Sequence, residues 1–338
     1  MLKIRFNFKS AICVYVLLSV LVLLSVLVGT REASVGTDTQ NYADFFFTVK
    51  ENFQSSRFEF FYKVLTLLVS YFSDSLSLYF AIIYLIFNFF YLAFFYCVAG
   101  DERKPQHLLV FFGFMCASSW YIVATTNGLR QGLSLPVLYF SLLYFSDKKY
   151  IRSSCFLLAS LGFHKAVLLV IPFFLMVYLQ SNIVFLIFIF SSLLYFFGYT
   201  EIILRFVSGV MPVDFYGYIV SYGAEADKWV GFQLAFFVYT IFWGVAGYAL
   251  RGFVNARWLP AYSRAWKLYC ILMLPYFYFG FGAYSNRYAF IGWLFIPVVQ
   301  ALFVVGSTLS RVLRIAIALI VLVFGLCSFA AYLLGLWS

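Results

Sequence analysis

Nine residues stand out as able to do chemistry: Arg31, Asp38, Tyr42, Arg130, Gln131, His164, Lys165, Arg287 and Tyr288. They fall in four short polar stretches of an otherwise apolar chain: Arg31 to Tyr42, Asn127 to Gly132, Phe163-His164-Lys165 and Asn286-Arg287-Tyr288. Ionisable groups at the ends of membrane-crossing runs are costly, so each is a functional candidate. Arginine grips phosphate oxygens with two parallel N–H bonds and stays charged when partly desolvated. Arg130 and Arg287 therefore read as a clamp for an anionic head group, with Arg31 and Lys165 in support. His164 or Asp38 can take a proton from a hydroxyl. A metal acting on an anionic head group would favour clustered carboxylates with D-x-D-like spacing. The polar stretches carry none, so the expected chemistry uses fixed cations, with no metal and no other cofactor.

Plainer roles compete with these. Asp38 or Thr37 can cap a helix beginning near Thr39, and Arg130 and Arg287 can be snorkelling anchors. Arg31 can pair structurally with Glu32 or Asp38. Lys165 can be an interfacial anchor beside a packed, hydrogen-bonded His164, and His107 reads as an ordinary interfacial side chain.

The elements that must position these residues are membrane helices. Of 338 residues, 64% are hydrophobic and 11% charged, against about 45–50% and about 25% in soluble domains; the mean hydropathy is +0.95. A soluble fold is excluded, and the chain reads as an all-α polytopic protein forming a single integral membrane domain over 1–338. The net charge of +10 would suggest nucleic acid in a soluble protein. Here the basic residues lie between apolar runs, so the partner they indicate is the lipid bilayer and no nucleic acid is expected. The six cysteines lie in apolar stretches without disulfide or zinc spacing and read as small buried side chains. Lys3, Arg5 and Lys9 precede the run 11–29, which reads as an uncleaved signal anchor.

About eleven crossings are expected, at 11–29, 76–99, 107–125, 129–146, 153–163, 166–180, 183–199, 232–250, 268–284, 288–306 and 315–336, with the pair around His164 short or broken. With the amino terminus inside, 14 basic and 3 acidic residues fall on the cytoplasmic side, against 9 and 10 outside. That division follows the positive-inside rule. It requires Phe58 to Phe72 not to cross, so this stretch is expected as an amphipathic helix at the outer surface. The outer loops are then 30–75 and 200–231, carrying short helices, and no fixed-period repeat is visible.

The order G-T-D-x-x-x-Y (Gly36 to Tyr42), E-x-F-Y (Glu59 to Tyr62), N-G-x-R-Q-G (Asn127 to Gly132), then K-K-Y (Lys148 to Tyr150) leading into L-x-F-H-K-A (Leu161 to Ala166) resembles the EpsG-type and Wzy-type bacterial polysaccharide polymerases. The similarity covers roughly residues 30–175. It implies a GT-C-like polymerase of O-antigen, capsule or exopolysaccharide, joining undecaprenyl-diphosphate-linked glycans by metal-independent glycosyl transfer. The reaction would take place on the periplasmic face of the inner membrane. Flippase and chain-length regulator proteins are the partners such a role implies. An O-antigen ligase and a membrane-bound acyltransferase modifying glycans are the alternatives within enzymes. A lipid-linked sugar transporter is disfavoured, because the charges gather at one face instead of along a path.

Overall fold

Hydrocarbon offers no partner for backbone N–H and C=O groups, so an apolar chain must satisfy them internally, and this one does so as helix. The computed structural model describes residues 8–32, 35–210, 214–221 and 231–336. Lys3 and Arg5, and residues 33–34, 211–213 and 222–230 of the two expected outer loops, lie outside these. The helices are α1 (Phe8–Gly29), α2 (Thr39–Asn52), α3 (Phe60–Phe72), α4 (Leu76–Val98), α5 (Pro105–Cys116), α6 (Ser119–Thr126), α7 (Leu129–Ser146) and α8 (Tyr150–Phe163). They continue as α9 (Ser181–Phe196), α10 (Tyr199–Val210), α11 (Phe215–Ser221), α12 (Leu234–Leu250), α13 (Leu259–Phe279), α14 (Ser285–Trp293), α15 (Ile296–Gly306) and α16 (Arg311–Leu333). A 3-10 segment, Lys165–Tyr178, follows α8.

Among the described residues five helical stretches are long and apolar enough to cross a membrane: Ser10–Gly29, Leu76–Val98, Leu234–Phe253, Ser285–Gly306 and Arg311–Leu333. The number rises to seven if two bent pairs each count as one span. The chain is thus an all-helical membrane protein with five to seven candidate crossings, fewer than the eleven that apolar runs suggest. The expected crossing 107–125 bends by 84° between α5 and α6, and α9 and α10 meet at 88°. The 14 residues of α8 reach only about 21 Å, short of the roughly 30 Å hydrocarbon core. Of the six cysteines only Cys116 and Cys270 are buried; Cys97, Cys155 and Cys327 are exposed on apolar helices.

The chain divides into two compact units, residues 1–167 with 300–338, and residues 168–299. In the first, α7 lies along α8, and serines tie the pair together. Ser160 Oγ donates to the Ser134 carbonyl at 2.8 Å, and Ser141 and Ser153 exchange bonds through hydroxyls and carbonyls at 2.9 Å. The Tyr121 hydroxyl bridges Tyr84 at 2.8 Å and Asn88 at 2.9 Å, joining α6 to α4. Close helix approach relies on glycine: a Cβ on Gly325 of α16 would lie 2.6 Å from the Gly113 carbonyl oxygen of α5, and one on Gly132 of α7 would meet the Ala124 carbonyl oxygen of α6.

The helix expected at the outer surface forms as α3, with its polarity turned round. Tyr62, Thr66 and Ser70 face inward, while Phe60, Leu68, Tyr71 and Phe72 are exposed. The buried hydroxyls satisfy one another, Tyr62 to Tyr79 at 2.7 Å and Thr66 to Tyr79 at 3.1 Å.

In the second unit one face of α13 donates to the carbonyls of α12. Tyr262 reaches Gly247, Trp266 reaches Gly244 and Tyr269 reaches Thr240, each at 2.9 Å. The donors advance by four and three residues, the spacing of one helix face, as the acceptors step back along an antiparallel neighbour.

Gly132→Ala should lower stability by about 1–3 kcal/mol, because the added methyl meets backbone that cannot swing away. Thermal unfolding in detergent measures this. Gly252→Ala, whose methyl would enter open space, should leave the transition unmoved.

Candidate active site

In the first unit four of the five motifs come close together, while Lys148-Lys149-Tyr150 lies at the other end of α7. Gly36 adopts φ +92°, and the loop it turns lies on the α6–α7 junction. A Cβ there would sit 2.9 Å from Thr39 Oγ1 and 3.1 Å from the Thr126 carbonyl oxygen, so both the turn and the contact require glycine. Asn127 Oδ1 accepts the Asp38 backbone N–H at 2.8 Å and the Thr37 hydroxyl at 3.0 Å. Thr39 Oγ1 and an Arg31 terminal nitrogen both reach the Thr126 carbonyl, at 3.2 and 3.1 Å. The loop before α2 is thereby tied to Thr126 and Asn127, a few residues ahead of Arg130.

Arg130, in the first turn of α7, donates from Nη1 to Glu59 Oε2 at 2.6 Å, and its guanidinium lies 4.6 Å from the centre of the Phe58 ring. The other Glu59 oxygen, Oε1, accepts the Lys165 backbone N–H at 3.4 Å and stands 3.6 Å from His164 Nδ1. Glu59 is the residue just before α3, in extended conformation. His164 follows α8, also extended, and Phe163 before it packs its ring against Phe61 of α3 at 6.0 Å. The ring contact carries the break after α8 to the start of α3. The three side chains keep 13% (Glu59), 21% (Arg130) and 20% (His164) of their surface exposed, so the cluster is partly dry yet reachable. The Ala166 backbone N–H donates to His164 Nδ1 at 3.2 Å. A neutral His164 in this setting carries its proton on Nε2.

Tyr42, buried on α2, stands between Asp38 and Arg130. Burial raises its hydroxyl pKa above the usual value, and the Arg130 guanidinium beside it pulls the other way. Its ring leans on Phe58 at 5.9 Å and on Tyr62 at 5.7 Å. Arg130 Nε is buried and has no hydrogen-bond partner among the described residues.

Asp38, Tyr42, Arg130, His164 and Lys165 thus come together. The other candidates fare differently. Asp38 precedes α2 but makes no side-chain capping bond. Arg31 is buried, with its terminal nitrogens on the Val28 and Thr126 carbonyls and its guanidinium 4.1 Å from the Phe80 ring centre. Burial lowers its pKa to about 10, so it stays cationic at neutral pH. Gln131 is buried, about 100° round the helix from Arg130. Lys165 brings its backbone to Glu59 and leaves its side chain exposed. Arg287 and Tyr288 belong to the second unit, where Arg287 is exposed and lies 4.2 Å from the Tyr284 ring centre, and Tyr288 is buried. Among the described residues no three His, Cys, Asp or Glu side chains group as metal ligands.

Glu59 is the residue that sequence reasoning passed over as a site member. Its signal was present: a carboxylate at the head of an apolar helix, inside the E-x-F-Y motif.

Asn127→Ala removes the acceptor for two loop bonds, one exposed and one half-buried, and should cost about 0.5–1.5 kcal/mol. Hydrogen exchange should quicken across residues 35–42, and Asn127→Asp, which keeps the oxygen, should restore protection.

A model of the EpsG family matches residues 14–336, nearly the whole chain. No curated protein and no solved structure matches it. The chain belongs to the EpsG family, a family of Wzy-like polysaccharide polymerases.

Proposed function

We propose that this protein joins undecaprenyl-diphosphate-linked oligosaccharide repeat units into O-antigen or a related glycan. The reaction is placed on the periplasmic face of the bacterial inner membrane, with the amino terminus cytoplasmic. Loops 30–75 and 200–231 are periplasmic on this reading, and flippase and chain-length regulator proteins are its functional partners. The observation that carries it is Arg130 in the first turn of a buried helix, paired on one nitrogen with Glu59 and left with a buried, unpartnered Nε.

The reaction moves the anomeric carbon of one growing glycan from its lipid diphosphate to a hydroxyl of an incoming lipid-linked unit. The leaving diphosphate gathers charge as the bond breaks, and a fixed guanidinium stabilises that charge without a metal. Arg130 is assigned this role. The Lys165 side chain adds an exposed cation nearby, and Asp38 and His164 supply acid–base groups around Tyr42 and Glu59. In the second unit the exposed Arg287 and neighbouring Tyr288 are separate candidates for substrate contact. The donor set supports metal-independent transfer, since the carboxylate nearest Arg130 already serves a cation.

Arg130→Lys tests the clamp. A point charge can anchor a helix, but two-pronged phosphate binding needs the planar fork, so the variant should fold and lose about a hundredfold or more in polymerisation rate. Wild-type chain length and rate in Arg130→Lys would overturn the assignment. Purified protein should polymerise lipid-linked units in excess chelator; loss of activity with recovery on added magnesium would overturn the metal-independent reading. Cells lacking the protein should carry core plus one unit on a lipopolysaccharide gel, whereas absence of any unit on core would favour a ligase. A reporter fused after Lys104 should report the cytoplasm; an outer location would mean that α3 crosses and that the outer-face assignment is wrong.

A further inference from the structure

Three features of the cluster bear on how the acceptor hydroxyl loses its proton. The Glu59 carboxylate lies directly against the arginine assigned to the leaving group. Both of its oxygens are occupied, Oε2 by Arg130 and Oε1 by the Lys165 backbone N–H with His164 close by. Arg130 retains a buried Nε without a partner. Glu59 holds Arg130 through Nη1 alone, so a diphosphate that engages the guanidinium brings more anionic oxygens against the same cation and competes with Glu59 for it.

We propose that Glu59 is the general base of this site, and that donor binding to Arg130 frees it for that task. This rests on the polymerase reading given above. With no donor bound, Arg130 occupies Glu59 Oε2. When the lipid diphosphate takes the guanidinium, Oε2 is released beside the bond that will break. The acceptor hydroxyl then gives its proton to Oε2 as its oxygen bonds to the donor's anomeric carbon. The bond from that carbon to the diphosphate oxygen breaks, and the electron pair leaves with the lipid diphosphate against Arg130. The Lys165 N–H holds Oε1, which fixes the direction of the carboxylate through the exchange. Coupling the base to donor occupancy also keeps water from being activated at an empty site.

Glu59→Gln separates this from a purely structural pair, because glutamine keeps an oxygen for Arg130 and loses both the charge and the basicity. Binding is measured with undecaprenyl diphosphate, and turnover with lipid-linked units extracted from cells lacking the protein. Wild-type protein is assayed first, and if it makes no polymer the polymerase reading itself fails. With wild type active, Glu59→Gln should bind undecaprenyl diphosphate as tightly or several-fold more tightly, since a competing anion is gone. Its turnover should fall a hundredfold or more, within the range that general bases supply. Wild-type activity should decline on the acid side as the base is protonated, and the residual activity of Glu59→Gln should lack that decline. Turnover within fivefold of wild type, weaker donor binding, or an unchanged acid limb would each overturn the proposal. Glu59→Asp serves where Glu59→Gln does not fold: it keeps a carboxylate and should keep the acid limb at a reduced rate, and loss of that limb would overturn the proposal equally.

Discussion

A guanidinium at the head of a helix packed among apolar side chains must find a counter-charge, and the Arg130–Glu59 pair at 2.6 Å is how this chain meets that demand. Much of the first unit follows from bringing those two residues together across 71 positions of sequence. The start of α3 must come to the start of α7. The chain after α8 must break at His164 so that the Lys165 N–H can reach the second carboxylate oxygen. The loop before α2 must turn at Gly36 and lie against Asn127, which puts Tyr42 beside the same guanidinium. An uncompensated charge in such a place would cost several kcal/mol, so helix order and loop paths are arranged around its partner.

Away from that pair, the helices identify one another largely through hydroxyls. Apolar surface gives little preference for one apolar neighbour over another when lipid is the competitor, and polar groups supply the discrimination. The serine bonds between α7 and α8, the Tyr62–Tyr79–Thr66 network under α3, and the Tyr262, Trp266 and Tyr269 donors along α12 all act this way. Glycine complements them by letting backbones approach, as at Gly325 against Gly113.

What the sequence made legible, and what it did not, divides along physical lines. Helical class and membrane embedding come from composition, which is local and additive. Asp38, Tyr42, Arg130, His164 and Lys165 were legible as candidates one by one because polar residues in an apolar chain have few places to go. The number of crossings was not, since an apolar run reads alike whether it continues or bends by 84° near Ala117. The inward polarity of α3 was hidden too. Hydroxyls read as a wet face unless their partners are known, and the partner Tyr79 sits on another helix. Glu59 escaped for the same reason: its pairing is made through space, and in sequence it resembles any charge at a helix start.

On the polymerase reading, the resting charge of the cluster bears on which anions it accepts. Arg130 and Glu59 cancel, so the pair by itself presents no strong standing field to a passing anion. An anion that brings one negative charge exchanges like for like with Glu59 at Arg130 and gains little, while it still pays the desolvation of the displaced carboxylate. A diphosphate brings more charge than it displaces, and further acceptor oxygens for the terminal nitrogens of the guanidinium. The internal carboxylate therefore sets a threshold that favours a diphosphate over a monoanionic head group, and does so without a pocket shaped to the glycan. Recognition of the sugar must then come from residues outside this cluster, which leaves the same catalytic arrangement able to serve different repeat units.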